Sequence, residues 1–136
     1  MSNVSVFLDF MEYLNRNAKK LGGMNIKDLC YKAIRNGFIK KDDIVTRRFI
    51  YMCDLRNSVA HGNALLASEL NDEEMLYHIY AYGLLILIHH SREWYIETIN
   101  NDIYCYKNGQ LRIKFSKLLH VMKKDRVIYF LEDFYR

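Results

Sequence analysis

The sequence predicts a mostly α-helical protein, an up-down bundle of four to five helices with a small β-hairpin near residues 102–115. The 136 residues include no proline and are 51% hydrophobic, which favours long uninterrupted helices around a buried core. Apolar residues recur at helical spacing through most of the chain, and capping residues and glycines mark the ends of these segments. We expect one domain, residues 1–136, in which residues 101–136 form a C-terminal extension.

Caps and glycines predict the bounds of the first three helices. The first helix carries apolar residues from Phe7 to Leu21 and stops at Gly22-Gly23, the second runs from a cap at Asn25 to Gly37, and the third opens at Asp42 or Asp43 and closes at Gly62. The third helix is expected to span about five turns.

The rest of the chain predicts one more long helix, then a β-hairpin and one or two further helices. After a short loop, Asn71 and Glu74 form a capping-box pattern that starts the longest helix, from about Asp72 to Thr98. Two β-prone runs then flank Asn108-Gly109, a strong signal for a hairpin turn. The remaining apolar-periodic segment predicts one or two further helices.

Charge is unevenly distributed along the chain, although the net charge is only +4. Residues 16–41 carry eight Lys and Arg against one Asp, and residues 107–126 carry seven against one Asp. Residues 42–106 carry four Arg against ten acidic residues. The two basic segments are candidates for binding a phosphate backbone, and ordinary solvated faces are the alternative.

Composition excludes several classes of protein. The three cysteines are widely spaced and form no C-x-x-C pair, which fits free thiols in a reducing cytoplasm and not a disulfide framework or a zinc site. The longest charge-free apolar run, Ala81 to Ile88, is too short to cross a membrane, and the N-terminus lacks the pattern of a signal peptide. We therefore expect a cytoplasmic protein without a membrane partner, a metal or a cofactor.

The stretch CDLRNSVAHGN, residues 53–63, carries the candidate chemistry. It falls in the last turns of the third predicted helix, where His61 lies four residues after Asn57 and seven after Asp54 and so shares one stripe with them. Arg47 extends this stripe, and Arg56 lies about 140° round the helix from His61.

The segment RNSVAHG resembles the signature of the HEPN superfamily, small all-α domains found in many prokaryotic RNase toxins and in RNA-targeting CRISPR effectors. That signature is an Arg, four to six intervening residues of which the first is often Asn, and a His, near the end of a long helix in a four- or five-helix bundle. The resemblance covers roughly residues 1–100. It implies a homodimer in which the two motif helices face each other and form a composite site.

Carried over to this chain, the resemblance implies that Arg56 and His61 are the catalytic pair and that Asn57 and Asp54 are supporting polar residues. The expected activity is metal-independent endoribonucleolytic cleavage by the 2′-hydroxyl of RNA, which leaves a 2′,3′-cyclic phosphate. A toxin or antiphage effector is the expected setting, and Arg47 and Arg48 are candidate RNA contacts.

The resemblance departs from one branch of the family in a way that bears on regulation. In the HEPN toxins that are paired with a nucleotidyltransferase antitoxin, a Tyr stands two residues after the His, and this chain has Asn63 there. We therefore expect any antitoxin or regulatory protein to act by another route than modification of that tyrosine.

Three alternatives remain open from the residues alone. In the first alternative, Arg56 pairs with Asp54 or another neighbour, and His61 only caps the C-terminus of the helix, where a cation is favoured. In the second, the protein is a non-catalytic HEPN-like module that binds RNA or serves as a scaffold. In the third, the protein only oligomerises, through its aromatic-rich fourth helix.

Overall fold

The computed structural model describes residues 3–57 and 62–122, with the backbone alone for residues 62–65. The elements in chain order are α1 (Asn3–Lys20), α2 (Ile26–Arg35), α3 (Ile44–Asn57), α4 (Gly62–Glu69), α5 (Glu73–His90), β1 (Trp94–Ile99), β2 (Asp102–Lys107), β3 (Gln110–Lys114) and α6 (Phe115–Met122). The expected mostly helical class is confirmed, together with a small antiparallel sheet in the order β1-β2-β3. None of the helices described is long and apolar enough to cross a membrane.

Helix α5 forms the centre of the fold. It contacts α1, α2, α3, α6 and β1, and every residue from Gly83 to Ile88 is buried. A helix that is apolar on all sides is stable in water only when other elements cover it. Gly83 makes the close packing possible, because a Cβ atom there would lie 2.6 Å from Leu14 Cδ1 of α1 and 3.2 Å from Phe49 Cε2 of α3.

The starts of α2 and α5 show how far the capping predictions hold. The Asn25 side chain accepts a hydrogen bond from the backbone N–H of Asp28 at 2.8 Å, which confirms the predicted cap of α2. At α5 the cap is Asp72, which accepts from the Met75 N–H at 3.1 Å, and not the predicted Asn71. The two candidates are adjacent, and sequence alone does not decide between two good capping residues.

Helix α3 is anchored by one buried face and one polar contact. Phe49, Met52 and Cys53 are buried on it. The fully buried Thr46 hydroxyl hydrogen-bonds the Tyr82 hydroxyl of α5, and burial raises the pKa of Tyr82 to about 12. A buried hydroxyl pair of this kind fixes the rotation of α3, because rotating the helix would leave both groups unpaired.

The chain after α3 differs from the prediction. The third helix was expected to close at Gly62, but residues 58–61 lie outside the described part of the chain. The short loop expected after Gly62 is wrong, since Gly62–Glu69 forms α4. The segment NALLASEL is rich in good helix formers, and Leu66 and Leu70 are buried in the core.

The predicted helix from Asp72 to Thr98 is too long. Helix α5 ends at His90, where the Ser91 N–H donates to the Ile88 carbonyl at 3.1 Å, and Trp94–Ile99 forms β1. Residues 94–99 read WYIETI, aromatic and β-branched residues that suit a pleated surface better than a helix. Strand β1 also covers one edge of the β2–β3 hairpin, whose stability as an isolated pair of strands would be marginal.

Both turns of the sheet have two residues with positive φ. Asn108 and Gly109 have φ angles of +52° and +80°, which confirms the predicted hairpin between β2 and β3. Asn100 and Asn101 have φ angles of +51° and +65° and form the turn between β1 and β2. Two consecutive positive φ angles are the requirement of a type I′ turn, which Asn and Gly meet at the least cost.

Candidate functional site

Arg56 and Asn57 lie together at the end of α3. The Arg56 Nη1 donates to Asn57 Oδ1 at 3.4 Å, and the Arg56 side chain is partly buried. Its Nε atom is buried and has no hydrogen-bond partner among the described residues. An unpaired buried N–H costs about 1–3 kcal/mol, so this donor requires an explanation.

The second member of the predicted catalytic pair, His61, lies outside the described residues. The structure therefore brings together Arg56 and the predicted supporting residue Asn57. The contact between these two neighbours agrees with the proposed role of Arg56 and equally with local pairing on its own helix.

Asp54 forms a salt bridge with Lys27 of α2. The hydrogen bond to the Asp54 carboxylate is the main cause that raises the pKa of Lys27. Both side chains are partly exposed, so the pair contributes at most about 1 kcal/mol to stability. Sequence reasoning missed Lys27 as a residue of this site, because nothing in a basic segment indicates which lysine meets an acid 27 positions later.

The two candidate RNA-contact residues differ in their surroundings. Arg48 donates to Glu69 Oε2 of α4 at 2.7 Å, and its guanidinium lies 5.3 Å from the centre of the Tyr51 ring. Arg47 is exposed and lines an open concavity of about 440 Å³ together with Ile44 and Tyr51. Arg48 also lines this concavity, but its guanidinium is paired with α4, while Arg47 is the more exposed of the two.

The cysteines near α3 do not suit nucleophilic chemistry. Cys30, Cys53 and Cys105 are free thiols, as the sequence predicts, and all three are buried. Burial raises the pKa of Cys30 and Cys105 to about 12 and raises that of Cys53 as well. The thiolate is the nucleophilic form, and it is scarcely populated at neutral pH at any of the three.

No cluster of His, Cys, Asp and Glu in residues 3–57 and 62–122 is arranged to hold a metal ion.

A second concavity lies by the C-terminal half of α5. It has a volume of about 460 Å³ and is lined by residues 36–39, by the C-terminal half of α5 and by β1. His89 stacks on Phe38 there, with ring centres 4.1 Å apart and an angle of 2° between the planes. Burial, and secondarily the neighbouring His90, lowers the pKa of His89.

Acidification is expected to destabilise the protein through His89. Its pKa is lower in the folded than in the unfolded chain, so the unfolded chain binds the proton first as pH falls below the ordinary value of about 6.5. The free energy of unfolding should therefore fall from pH 7 to pH 5, and His89→Phe should reduce that fall because it keeps a stacked ring without a titrating group. Urea titrations at both pH values measure the difference, and equal pH dependence in the two proteins would contradict the prediction.

Comparison with known proteins gives no family assignment: no protein-family model matches the chain, and neither a curated protein nor a solved structure matches it. The resemblance to the HEPN superfamily therefore stays a prediction that depends on the RNSVAHG segment.

Proposed function

We propose that this protein is a metal-independent endoribonuclease of HEPN type, with Arg56 and His61 as its catalytic pair. The observation that carries the proposal is the partly exposed Arg56 side chain, the Arg of the RNSVAHG segment, whose Nε has no hydrogen-bond partner in the described part of the chain. The planar guanidinium of an arginine suits a phosphate, since it offers two parallel donors to two oxygens.

The chemistry follows from what RNA itself supplies. The 2′-hydroxyl attacks the adjacent phosphorus, the bond to the 5′-oxygen breaks, and a 2′,3′-cyclic phosphate remains. His61 would transfer the proton, because an imidazole with a pKa near 6.5 gives and takes protons at neutral pH. Arg56 would stabilise the additional negative charge on the phosphorane oxygens. Asn57 would orient Arg56, and Asp54 would support the site from its salt bridge with Lys27.

The proposed composite site requires two copies of the chain with their α3 helices facing each other. Ile44 and Tyr51 on α3 have 64% and 41% of their surface exposed, and they supply apolar area for such a contact. A toxin or antiphage effector in the cytoplasm, restrained by an antitoxin or another regulator, is the setting that the family resemblance implies.

A DNA oligonucleotide with one internal ribonucleotide tests the proposed chemistry in EDTA. Cleavage should occur only on the 3′ side of that ribonucleotide and should leave a cyclic phosphate, which mass spectrometry identifies. The matched substrate with a 2′-O-methyl group at that position should stay intact, because the nucleophile is blocked. Cleavage of the methylated substrate, or a product with a free 3′-hydroxyl, would exclude the mechanism.

A second candidate function is a non-catalytic RNA-binding module. The exposed Arg47 beside the partly exposed Tyr51 favours it, since one side chain suits a phosphate and the other a base. RNA binding without cleavage, unchanged by loss of Arg56 and His61, would support this alternative over the first.

A further inference from the structure

The three-stranded sheet has one buried face and one face that carries tyrosines. Helices α5 and α6 contact the sheet on the side of Trp94, Cys105 and Ile113, which are buried. Side chains alternate along a strand, so the neighbours Tyr95 and Tyr106 point to the opposite side. We call this opposite side the outer face, and its tyrosines are Tyr95, Tyr104 and Tyr106.

The tyrosine rings of the outer face lie close together. Tyr95 and Tyr106 are directly opposite each other in the register of β1 and β2, and their ring centres are 5.9 Å apart. Tyr95 keeps 59% of its surface exposed, and Tyr106 is partly exposed. Tyr104 lies two residues before Tyr106 on β2, and its side chain is on the same face. A cross-strand aromatic pair contributes about 0.2–1 kcal/mol to a sheet. The pair still leaves most of Tyr95 and part of Tyr106 in contact with water, and an exposed aromatic patch of this kind is typical of a binding surface.

Positive charge borders the tyrosines. Lys114 is opposite Tyr104 in the register, and its ammonium group lies 5.0 Å from the centre of that ring. Arg112 is exposed at the irregularity in the pairing of β2 with β3. Two acidic residues share this face: Glu97 accepts a hydrogen bond from the Tyr95 hydroxyl at 3.1 Å, and Asp102 accepts one from the Ser116 hydroxyl at 2.7 Å.

We propose that the outer face binds single-stranded nucleic acid, with bases stacked on Tyr95 and Tyr106 and phosphates held by Lys114 and Arg112. Stacking on aromatic rings combined with basic groups along the backbone is how proteins bind single strands without reading a sequence. Strands of five or six residues extend about 17–20 Å, which leaves room for two or three nucleotides. A duplex hides the faces of its bases and fits this surface poorly.

The proposal does not depend on the cleavage chemistry at Arg56. DNA lacks the 2′-hydroxyl, so an oligothymidylate of about twelve nucleotides binds without being cleaved by the proposed mechanism. Its fluorescence anisotropy therefore measures binding without cleavage, and the tyrosine variants of the outer face assign that binding to this surface.

Tyr95→Ala and Tyr106→Ala should each weaken binding of the labelled oligothymidylate about 10-fold. Tyr95→Phe keeps the ring and should bind like the unaltered protein. Tyr31→Ala on α2 is the matched control, since it removes a partly exposed tyrosine outside the sheet. Thermal melting should show that Tyr95→Ala folds normally, because that side chain is mostly exposed.

The charged residues give an independent test of the same surface. Lys114→Ala should reduce the slope of the logarithm of affinity against the logarithm of salt concentration by about 1, because it removes one phosphate contact. Glu97→Gln should strengthen binding, because it removes a negative charge that faces the phosphates.

Three outcomes would overturn the proposal. The first is an oligothymidylate that does not bind to the unaltered protein, and the second is equal affinity of Tyr95→Ala, Tyr106→Ala and Tyr31→Ala. The third is loss of self-association in Tyr95→Ala, measured by sedimentation, with unchanged oligonucleotide binding, which would assign the outer face to a second copy of the chain.

Discussion

Arg56→Ala is expected to reduce RNA cleavage by roughly 100-fold or more, the loss that follows removal of a group that stabilises transition-state charge. His61→Ala is expected to cost at least ~100-fold, the lower end for a general acid–base group. If the two residues act on one phosphate, the double variant should be little worse than either single variant. Rates of cleavage of a fluorescent RNA under single-turnover conditions measure all three.

Matched controls separate this effect from loss of charge or of fold. Arg35→Ala removes an exposed arginine from α2, and His78→Ala removes a histidine from α5, so both should cleave at the normal rate. Arg56→Lys keeps the charge but loses the fork of parallel donors, and it should stay at least about 10-fold impaired. Cleavage by Arg56→Ala at the normal rate, in a protein with a normal melting temperature, would remove Arg56 from the mechanism.

Gly83→Val is expected to lower the free energy of unfolding by about 3 kcal/mol, near the upper end for overpacking of a core. Even a single added carbon would lie 2.6 Å from Leu14 Cδ1, and Leu14 is fully buried in the core. His78→Val, at a partly exposed position on the same helix, should change stability by about 0.5 kcal/mol or less. Urea denaturation gives both values.

A second substitution tests whether the contact with Leu14 is the cause. Leu14→Ala opens space in α1 directly opposite Gly83, so the double variant Gly83→Val with Leu14→Ala should be more stable than the two separate losses predict. Simple additivity of the two losses would mean that Gly83→Val acts through the backbone and not through this contact.

The sequence predicts the parts of the fold that local chemistry decides. Asn25 caps α2 because its side chain reaches an N–H three residues later, and Asn108-Gly109 turns the chain because both residues tolerate positive φ. The same rule, applied to Asn100-Asn101, would have revealed the turn between β1 and β2 and shortened the last long helix. The helical spacing of nearby apolar residues outweighed that signal.

The candidate site shows where sequence reasoning ends. The position of Arg56 and Asn57 on α3 is predictable, because both lie in one periodic segment. The pairing of Asp54 with Lys27 and of Arg48 with Glu69 is not, because each joins separate helices and depends on how those helices pack. The sequence predicts the hairpin of β2 and β3, but the expected helix from Asp72 to Thr98 takes in β1 and with it the exposed Tyr95.

The most direct test of the proposed endoribonuclease is incubation of a mixed-sequence RNA with the protein and with His61→Ala, both in EDTA. The proposal predicts fragments with cyclic phosphate ends from the first protein and intact RNA from the second. Equal cleavage by both proteins, or intact RNA with both at every protein concentration that allows the chain to dimerise, would contradict it.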